Sequence, residues 1–561
     1  MEDVSAIKLQ RQPRRRLALL FTALVGVMLI LAARLFYWQV LSPEDVVPQQ
    51  EAQSGVRGEI LDKHRLRIVI NRFEYDISAA PSEIENVERT AQQLDPYLSL
   101  SMEEILERIR DREQRYALLA QGLSAAQKDG IMALGLPGIH ATARPRRFYV
   151  LGEEAGHVAG FVNWELKGAY GVEGYYDELL QGVSVSRSGG FLINPHHFAS
   201  ARDGYDLVLT LDGTIQHMVA QVLQEAVERY QADGGTIIVM DPRSGAIWAM
   251  VNYPSFDPNE FATTSQELYV NPAISHQYEP GSVLKVTTVA AALDAGAIAL
   301  DTTYEDTACM TVVGATICNW DRIAHGTTTI TETLQHSLNV GAVHYVMALG
   351  PERLYRYMEA FGFGQLTGVD LANEVAGMVR TPDTPDWSLV DLATNSFGQG
   401  IATTPLQVVV AIAAVANGGR LMKPYVMERA VAPDGTVLQT QPTVVRQVVS
   451  PQVAREVTRM LVAVVEGEVT KAAVPGYSVA GKTGTAQIPD PEKGGYEPHA
   501  TIVSFVGYAP SYDPRFIVLV KIDRPHVPRG SEVAAPVFKT VAEWLLAYLA
   551  IPPDHFQMAS R

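Results

Sequence analysis

Cysteine is nearly absent from this chain, with 2 in 561 residues. That excludes a disulfide-rich scaffold, and no Cys/His cluster has the spacing of a metal site. The pair His196-His197 stands without further ligands and reads as a surface pair. Positive charge is also short. Lys and Arg number 45 against 62 Asp and Glu, for a net charge of −17, which speaks against a nucleic-acid partner. No internal repeat is visible, and no cofactor-binding fingerprint. The two cysteines, Cys309 and Cys318, flank Val312-Val313-Gly314-Ala315. A hairpin there brings them face to face, and an exported location permits a bridge. Two unpaired thiols are the alternative.

Long apolar runs are missing too, with one exception. Residues 17–33 are apolar or small, and Arg34 is followed by Leu35-Phe36-Tyr37-Trp38. With Arg34 snorkelling, the run reaches the ~20 residues of a membrane span. Arg11, Arg14, Arg15 and Arg16 precede it, so the positive-inside rule keeps residues 1–16 in the cytoplasm and exports the rest of the chain. A transmembrane helix is therefore expected at 17–38. The competing reading is a cleaved signal peptide ending near Ala32-Ala33. Pro43 and Pro48 bracket an extended connector.

Three short motifs carry the chemistry: Ser282-Val283-Leu284-Lys285, Ser337-Leu338-Asn339 and Lys482-Thr483-Gly484-Thr485. Ser-x-x-Lys sets a hydroxyl and an amine one helical turn apart on one face. Pro280-Gly281 is a helix-entry signal that puts Ser282 at a helix N-terminus. A lysine at its ordinary pKa of ~10.4 is a poor base, so Lys285 has to be desolvated or placed near the like charge of Lys482. Ser337 and Asn339 add a second hydroxyl and a carboxamide. The third motif lines a cation, two hydroxyls and backbone donors along a strand edge. A lone Ser-x-x-Lys is nearly worthless. Ser5-Ala6-Ile7-Lys8 is another, in the basic tail, and is given no catalytic weight.

In this order and these local frames, the motif set resembles that of penicillin-binding proteins, and more narrowly class B of that family. Arg57-Gly58-Glu59-Ile60 with Asp62, then Gly171-Val172-Glu173, resemble the family's pedestal. Residues 204–212 resemble its entry into the catalytic domain. Ser396-Phe397-Gly398-Gln399-Gly400 and Thr403-Thr404-Pro405-Leu406-Gln407 resemble a segment between its second and third motifs. One departure is Lys63-His64-Arg65, where the family's turn carries a glycine; a left-handed residue there costs strain.

The expected fold is multidomain α+β. After the anchor come a non-catalytic α+β pedestal (39–204), a transpeptidase domain (205–550) with a central antiparallel sheet covered by helices, and a tail (551–561) with no appended wall-binding modules. In the pedestal a helix is expected at 101–109, and the Arg144-Pro145-Arg146-Arg147 run as a solvated strand edge. In the second domain, 236–241 and 246–251 form a hairpin. Further strands are expected at 502–507 and 515–521, and helices at 283–293, 330–349, 405–417, 453–464 and 537–549.

The resemblance implies acyl transfer. Ser282 attacks the penultimate D-Ala carbonyl of a wall stem peptide, and an amine from a neighbouring stem peptide then takes the acyl group. Lys285 is the base. Ser337 passes a proton to the leaving amine, and Asn339 orients Lys285 and the substrate amide. Lys482, Thr483 and Thr485 hold the terminal carboxylate, while Gly484 lets the strand backbone come close to it. The amides of Ser282 and Thr485 form the oxyanion hole. A β-lactam acylates Ser282 and stays. The division type is favoured over elongation, with a polytopic membrane glycosyltransferase as partner. The alternatives are a D,D-carboxypeptidase or β-lactamase-type hydrolase, a β-lactam sensor, and a non-catalytic scaffold. The anchor and pedestal argue against a free lactamase. The sixteen or so residues before the span leave no room for a signalling domain, and the complete motif set argues against a scaffold.

Overall fold

Seven residues that alternate little in polarity, Gly234–Met240, form a strand buried at every position. That is the mark of a sheet covered on both faces. It is the inner partner of Ile247–Tyr253 in an antiparallel five-stranded sheet that continues through Phe516–Asp523 and Tyr496–Ala509 to the edge strand Ala480–Pro489. Helices Gly213–Tyr230 and Ala534–Tyr548 pack on this sheet and on each other, and Pro405–Ala416 packs on it separately. Pro405–Ala416 is apolar at every position but Gln407 and buried nearly throughout, so it is a core helix. Its start is set by Thr404 and Gln407 in a capping box, with Pro405 in the first turn.

The computed structural model describes residues 11–36, 55–182, 203–490 and 493–554. His196-His197, the Ser5 motif, Tyr37-Trp38, Pro43 and Pro48 lie outside them. Arg11–Phe36 is a single helix and a separate unit. Among the described residues no helix is long and apolar enough to cross a membrane.

A second sheet crosses the position where the sequence pattern sets the domain boundary. Asp206–Leu209 pairs in parallel with Ile60–Leu61 and antiparallel with Met427–Val431. Ile60–Leu61 pairs with Arg67–Ala79, which in turn pairs with Ala117–Leu123 and Ile139–Tyr149. The basic run lies on Ile139–Tyr149, which among the described strands pairs only with Arg67–Ala79; Arg144 and Pro145 are exposed on this edge as expected, and Arg147 is the exception. Arg147 is buried, its Nε donating to Glu173 Oε1 at 2.8 Å. Arg144 and Arg146 are paired with Asp76 and Glu74. The helix Met102–Ile109 stands where expected, with Ser101 as its cap.

At the Lys63-His64-Arg65 turn, Arg65 has φ 66°, the left-handed conformation the missing glycine would take. Asp62 closes the turn, its Oδ1 accepting from the amides of His64 and Leu66 at 2.8 Å each. Arg65→Gly is expected to stabilise the protein by about 1 kcal/mol, since a left-handed non-glycine residue costs ~1–2 and glycine's extra unfolded-state freedom returns part. Hydrogen exchange in the adjoining strand Arg67–Ala79 checks this; faster exchange in Arg65→Gly would show that the Arg65 side chain makes good the strain.

Cys309 and Cys318 are bridged, settling the open alternative. They sit opposite each other in the hairpin of Cys309–Val312 and Ala315–Cys318.

Candidate active site

Gly281 has φ 57°, and a Cβ there would meet Thr485 O at 2.7 Å, so only glycine lets the chain turn against the edge strand. The turn leads into a 3₁₀ segment, Gly281–Leu284, and then the helix Lys285–Asp294. This places Ser282 half-buried at the mouth of the helix and Lys285 fully buried one turn on. Lys285 Nζ lies 3.0 Å from Ser282 Oγ.

The second motif sits in a break. The apolar pattern predicts one helix over 330–349. The structure has two, Ile330–Gln335 and Asn339–Leu349. Between them Ser337 adopts φ 55°, a left-handed conformation disfavoured for any residue but glycine. The bend aims two acceptors at Lys285. Its Nζ lies 2.6 Å from Ser337 O and 2.8 Å from Asn339 Oδ1. Asn339 is held from behind by its Nδ2 donating to Cys318 O at 2.9 Å, so the bridged hairpin braces the motif.

Along the edge strand the side chains alternate. Lys482 and Gly484 face inward, while Thr483 and Thr485 face the cleft. Lys482 Nζ lies 3.1 Å from Ser337 Oγ, and Lys285 Nζ lies 3.3 Å from the same oxygen. Gly484 has a different role from the expected one. A Cβ there would meet Ser504 Oγ at 2.3 Å and Pro280 O at 2.9 Å, so it admits the nucleophile turn to the strand and not a substrate.

These positions fix what the amines can do. Burial pushes the Lys285 amine well below its usual range, and Lys482 adds to the effect. Burial alone brings Lys482 down to about 7. A neutral amine has two N–H donors and one lone pair. Ser337 O and Asn339 Oδ1 accept only, so they take both donors of Lys285. The lone pair is left for the proton of Ser282 Oγ. This arrangement suits an activated nucleophile.

The motifs open on a cleft of about 770 Å3. Sequence reasoning missed much of its wall. Trp320, Glu468 and Arg529 all line it and belong to none of the three motifs. It also missed Glu279, a buried carboxylate that accepts from Gly400 N at 2.8 Å and Tyr496 Oη at 3.2 Å. Its position three residues before Ser282 was the available signal. Gly398 touches the nucleophile turn directly, and Gly281 N donates to its carbonyl at 3.0 Å. A Cβ on Gly398 would meet Gly281 O at 2.2 Å, with φ 81°. Gly398→Ala is therefore expected to displace Ser282 and slow acylation on the order of 10²-fold. Timed labelling with a fluorescent β-lactam reads this, and an unchanged rate would mean that the turn absorbs the methyl group.

Comparisons with known proteins fit this geometry. Residues 235–543 match the family model of the penicillin binding protein transpeptidase domain, and residues 52–188 match that of the penicillin-binding protein dimerisation domain. Stage V sporulation protein D of Bacillus subtilis (strain 168) is 32% identical over 571 residues, covering 97% of this chain and 88% of the relative. Peptidoglycan D,D-transpeptidase FtsI of Escherichia coli (strain K12) is 30% identical over 562 residues, covering 96% and 92%. The crystal structure of penicillin-binding protein 3 from Mycobacterium tuberculosis, complexed with aztreonam, superposes with a TM-score of 0.71 at 29% identity, over 90% of this chain and 98% of that one.

Proposed function

The chain belongs to the penicillin-binding protein family, and from that premise we propose that it is a class B, division-type enzyme that joins peptidoglycan stem peptides by serine acyl transfer. It is a serine D,D-transpeptidase of wall synthesis and a target of β-lactams. One observation carries the mechanism: the Lys285 amine, its two donors taken by carbonyl acceptors, lies 3.0 Å from Ser282 Oγ.

Ser282 Oγ adds to the penultimate D-Ala carbonyl as its proton passes to Lys285 Nζ. The amides of Ser282 and Thr485 receive the oxyanion; losing one such donor typically costs about 10²–10³ in rate. Ser337 Oγ, between both lysines, carries a proton to the leaving nitrogen. D-Ala departs and leaves an ester on Ser282. Lys482, Thr483 and Thr485 hold the terminal carboxylate, whose charge favours the protonated form of Lys482. An acceptor amine then attacks the ester, and the proton it sheds returns to Ser282 Oγ through the same groups.

The apolar run at 17–38 is the single membrane anchor in this reading, with the catalytic domain outside the cytoplasm. Its support is the arginine cluster before the run and the helix Arg11–Phe36. A polytopic membrane glycosyltransferase is the partner, because a cross-linking enzyme on one span needs nascent strands delivered at the same surface.

The test supplies the full-length protein with a stem-peptide donor, with and without an amine acceptor. D-Ala release coupled to a cross-linked product is expected. Release without product at saturating acceptor would make the enzyme a hydrolase, and failure to form a covalent β-lactam adduct would remove the acyl-enzyme reading altogether.

A further inference from the structure

The hairpin of Phe161–Val162 and Gly168–Ala169 carries at its tip a tryptophan that the fold does not bury. Trp164 is 71% exposed. It is nevertheless held in place. Its ring centroid lies 5.2 Å from that of Phe261, which stacks on the buried Phe161 at 4.9 Å. The Arg146 guanidinium lies 5.7 Å from the same ring, and its Nη1 donates to Glu74 Oε2 at 3.0 Å. An aromatic run thus leads from the core to a fixed indole on the surface.

Beside it is a cavity of about 440 Å3, lined by Trp164, Phe261, Glu74, Asp76, Gln121 and Asn163 among others. This lies within the ~300–1,000 Å3 range of small-molecule sites. Asp76 is only 3% exposed, and its Oδ2 is held in an ion pair with the Nε of Arg144, which is itself mostly exposed. Asn163 spends its Oδ1 on the amides of Glu165 and Lys167.

The lining has a chemical signature. Protein interfaces also enrich Trp and Arg, so it is the recess and its polar lining, not the ring alone, that point to a small ring-shaped ligand. Here one flat ring is edged by carboxylates, carboxamides and guanidiniums, all planar groups with paired donors or acceptors. Paired planar groups match adjacent hydroxyls on a pyranose ring, and an aromatic face matches the ring's C–H side. We propose that this groove binds the glycan strand of peptidoglycan, with an N-acetylated sugar unit against Trp164 and its polar substituents on Asp76, Glu74 and Gln121. The proposal rests on the reading that the enzyme works on peptidoglycan. Stem peptides are covalently attached to that strand, so a second grip on the strand raises the effective concentration of peptide at the cleft without any new contact there.

The experiment titrates full-length protein, in a detergent without sugar groups, with peptide-free glycan strands by calorimetry. Fluorescent β-lactam labelling runs in parallel. Saturable binding is expected for the native protein. It should be weakened about tenfold or more in Trp164→Ala and partly restored in Trp164→Phe, because the lost contact is ring burial and stacking. The acylation rate should be the same in all three. No saturable binding by the native protein, or equal binding by Trp164→Ala, overturns the proposal. Loss of a co-purifying membrane protein from Trp164→Ala with glycan binding intact overturns it as well, and makes the hairpin a protein interface. Failure of the native protein to label would instead overturn the transpeptidase reading.

Discussion

Lys285→Arg is expected to lose about 10³-fold or more of the β-lactam acylation rate, within the ~10²–10⁴ that a positioned general base supplies. The cause is the lone pair. Two acceptors, Ser337 O and Asn339 Oδ1, take the donors of a neutral Lys285, and Ser282 Oγ is left at 3.0 Å as the proton source. A guanidinium stays protonated and has no lone pair to offer. Ser282→Ala should not label at all, and Lys285→Arg should approach it. Lys482→Arg should be the milder change, because its place calls for charge and hydrogen bonds at a carboxylate.

The pH dependence has a fixed sign. Lys285 must be neutral to act, so acylation should rise with pH through an apparent pKa well under the usual lysine value. That pKa belongs to the pair, since Lys285 and Lys482 face the same Ser337 Oγ. Folding has a matching trend. Lys482 is held at about 7 against an ordinary value of 10.5. Between those pH values the unfolded chain carries a proton that the folded one lacks, so stability gains from this site as pH rises through that window. The second-order rate of fluorescent penicillin labelling, measured across pH for each variant, reads the catalytic part. An active Lys285→Arg enzyme would put the base elsewhere, and the roles of all three motifs would have to be reassigned.

The candidate site was legible because its chemistry ties residue type to spacing. A hydroxyl and an amine one turn apart behind Pro280-Gly281 admit few uses, and the structure brings Ser282, Lys285, Ser337, Asn339 and Lys482 together. Most of the helices and sheet strands expected in the second domain stand within a few residues of their places, but Tyr496–Ala509 starts six residues before the expected 502, and the helices Gly213–Tyr230 and Pro351–Ala360 went unread. What stayed hidden is non-local or conformational. Nothing in Gln335-His336-Ser337 signals a break, since the usual marks of a left-handed residue are glycine and asparagine. The pairing of Asp206–Leu209 with Ile60–Leu61 on one side and Met427–Val431 on the other joins stretches hundreds of residues apart. Four and two residues are too short to show a partner. Trp320, Glu468 and Arg529 come to the cleft from three separate loops, and only the assembled fold makes them neighbours. Arg147 read as solvated because it sits in a basic run. Its partner, Glu173, is distant in sequence but lies across the same pedestal.

That partner carries the other large expected effect. Glu173→Gln is expected to destabilise the pedestal by about 3–5 kcal/mol, the usual cost of removing one side of a buried ion pair. Glu173 is fully buried and serves two guanidiniums. Its Oε2 accepts from Arg57 Nε at 2.8 Å and its Oε1 from Arg147 Nε at 2.8 Å. Burial by itself lowers the Arg57 pKa, and Glu173 and Asp177 more than reverse that, so Arg57 stays charged. The remaining bonds lock both arginines in place. Arg57 Nη1 donates to Asp177 Oδ1 at 2.7 Å, and Arg147 donates to Asn71 Oδ1 at 2.8 Å and Gly58 O at 2.6 Å. Glutamine keeps the shape but removes the charge and turns one acceptor into a donor facing a donor. Two buried cations are then left with Asp177, which is paired to only one of them. Asp177→Asn should cost much less, because Asp177 is partly exposed and water can replace it. Unfolding of so large a chain is not one transition, so hydrogen exchange in Arg67–Ala79 and Ile139–Tyr149 is the measurement. Faster exchange in those strands is expected for Glu173→Gln, with little change in Ser282 acylation, since none of these contacts lies in the cleft. Native protection in Glu173→Gln would show that Asp177 and the backbone carbonyls alone suffice for both arginines.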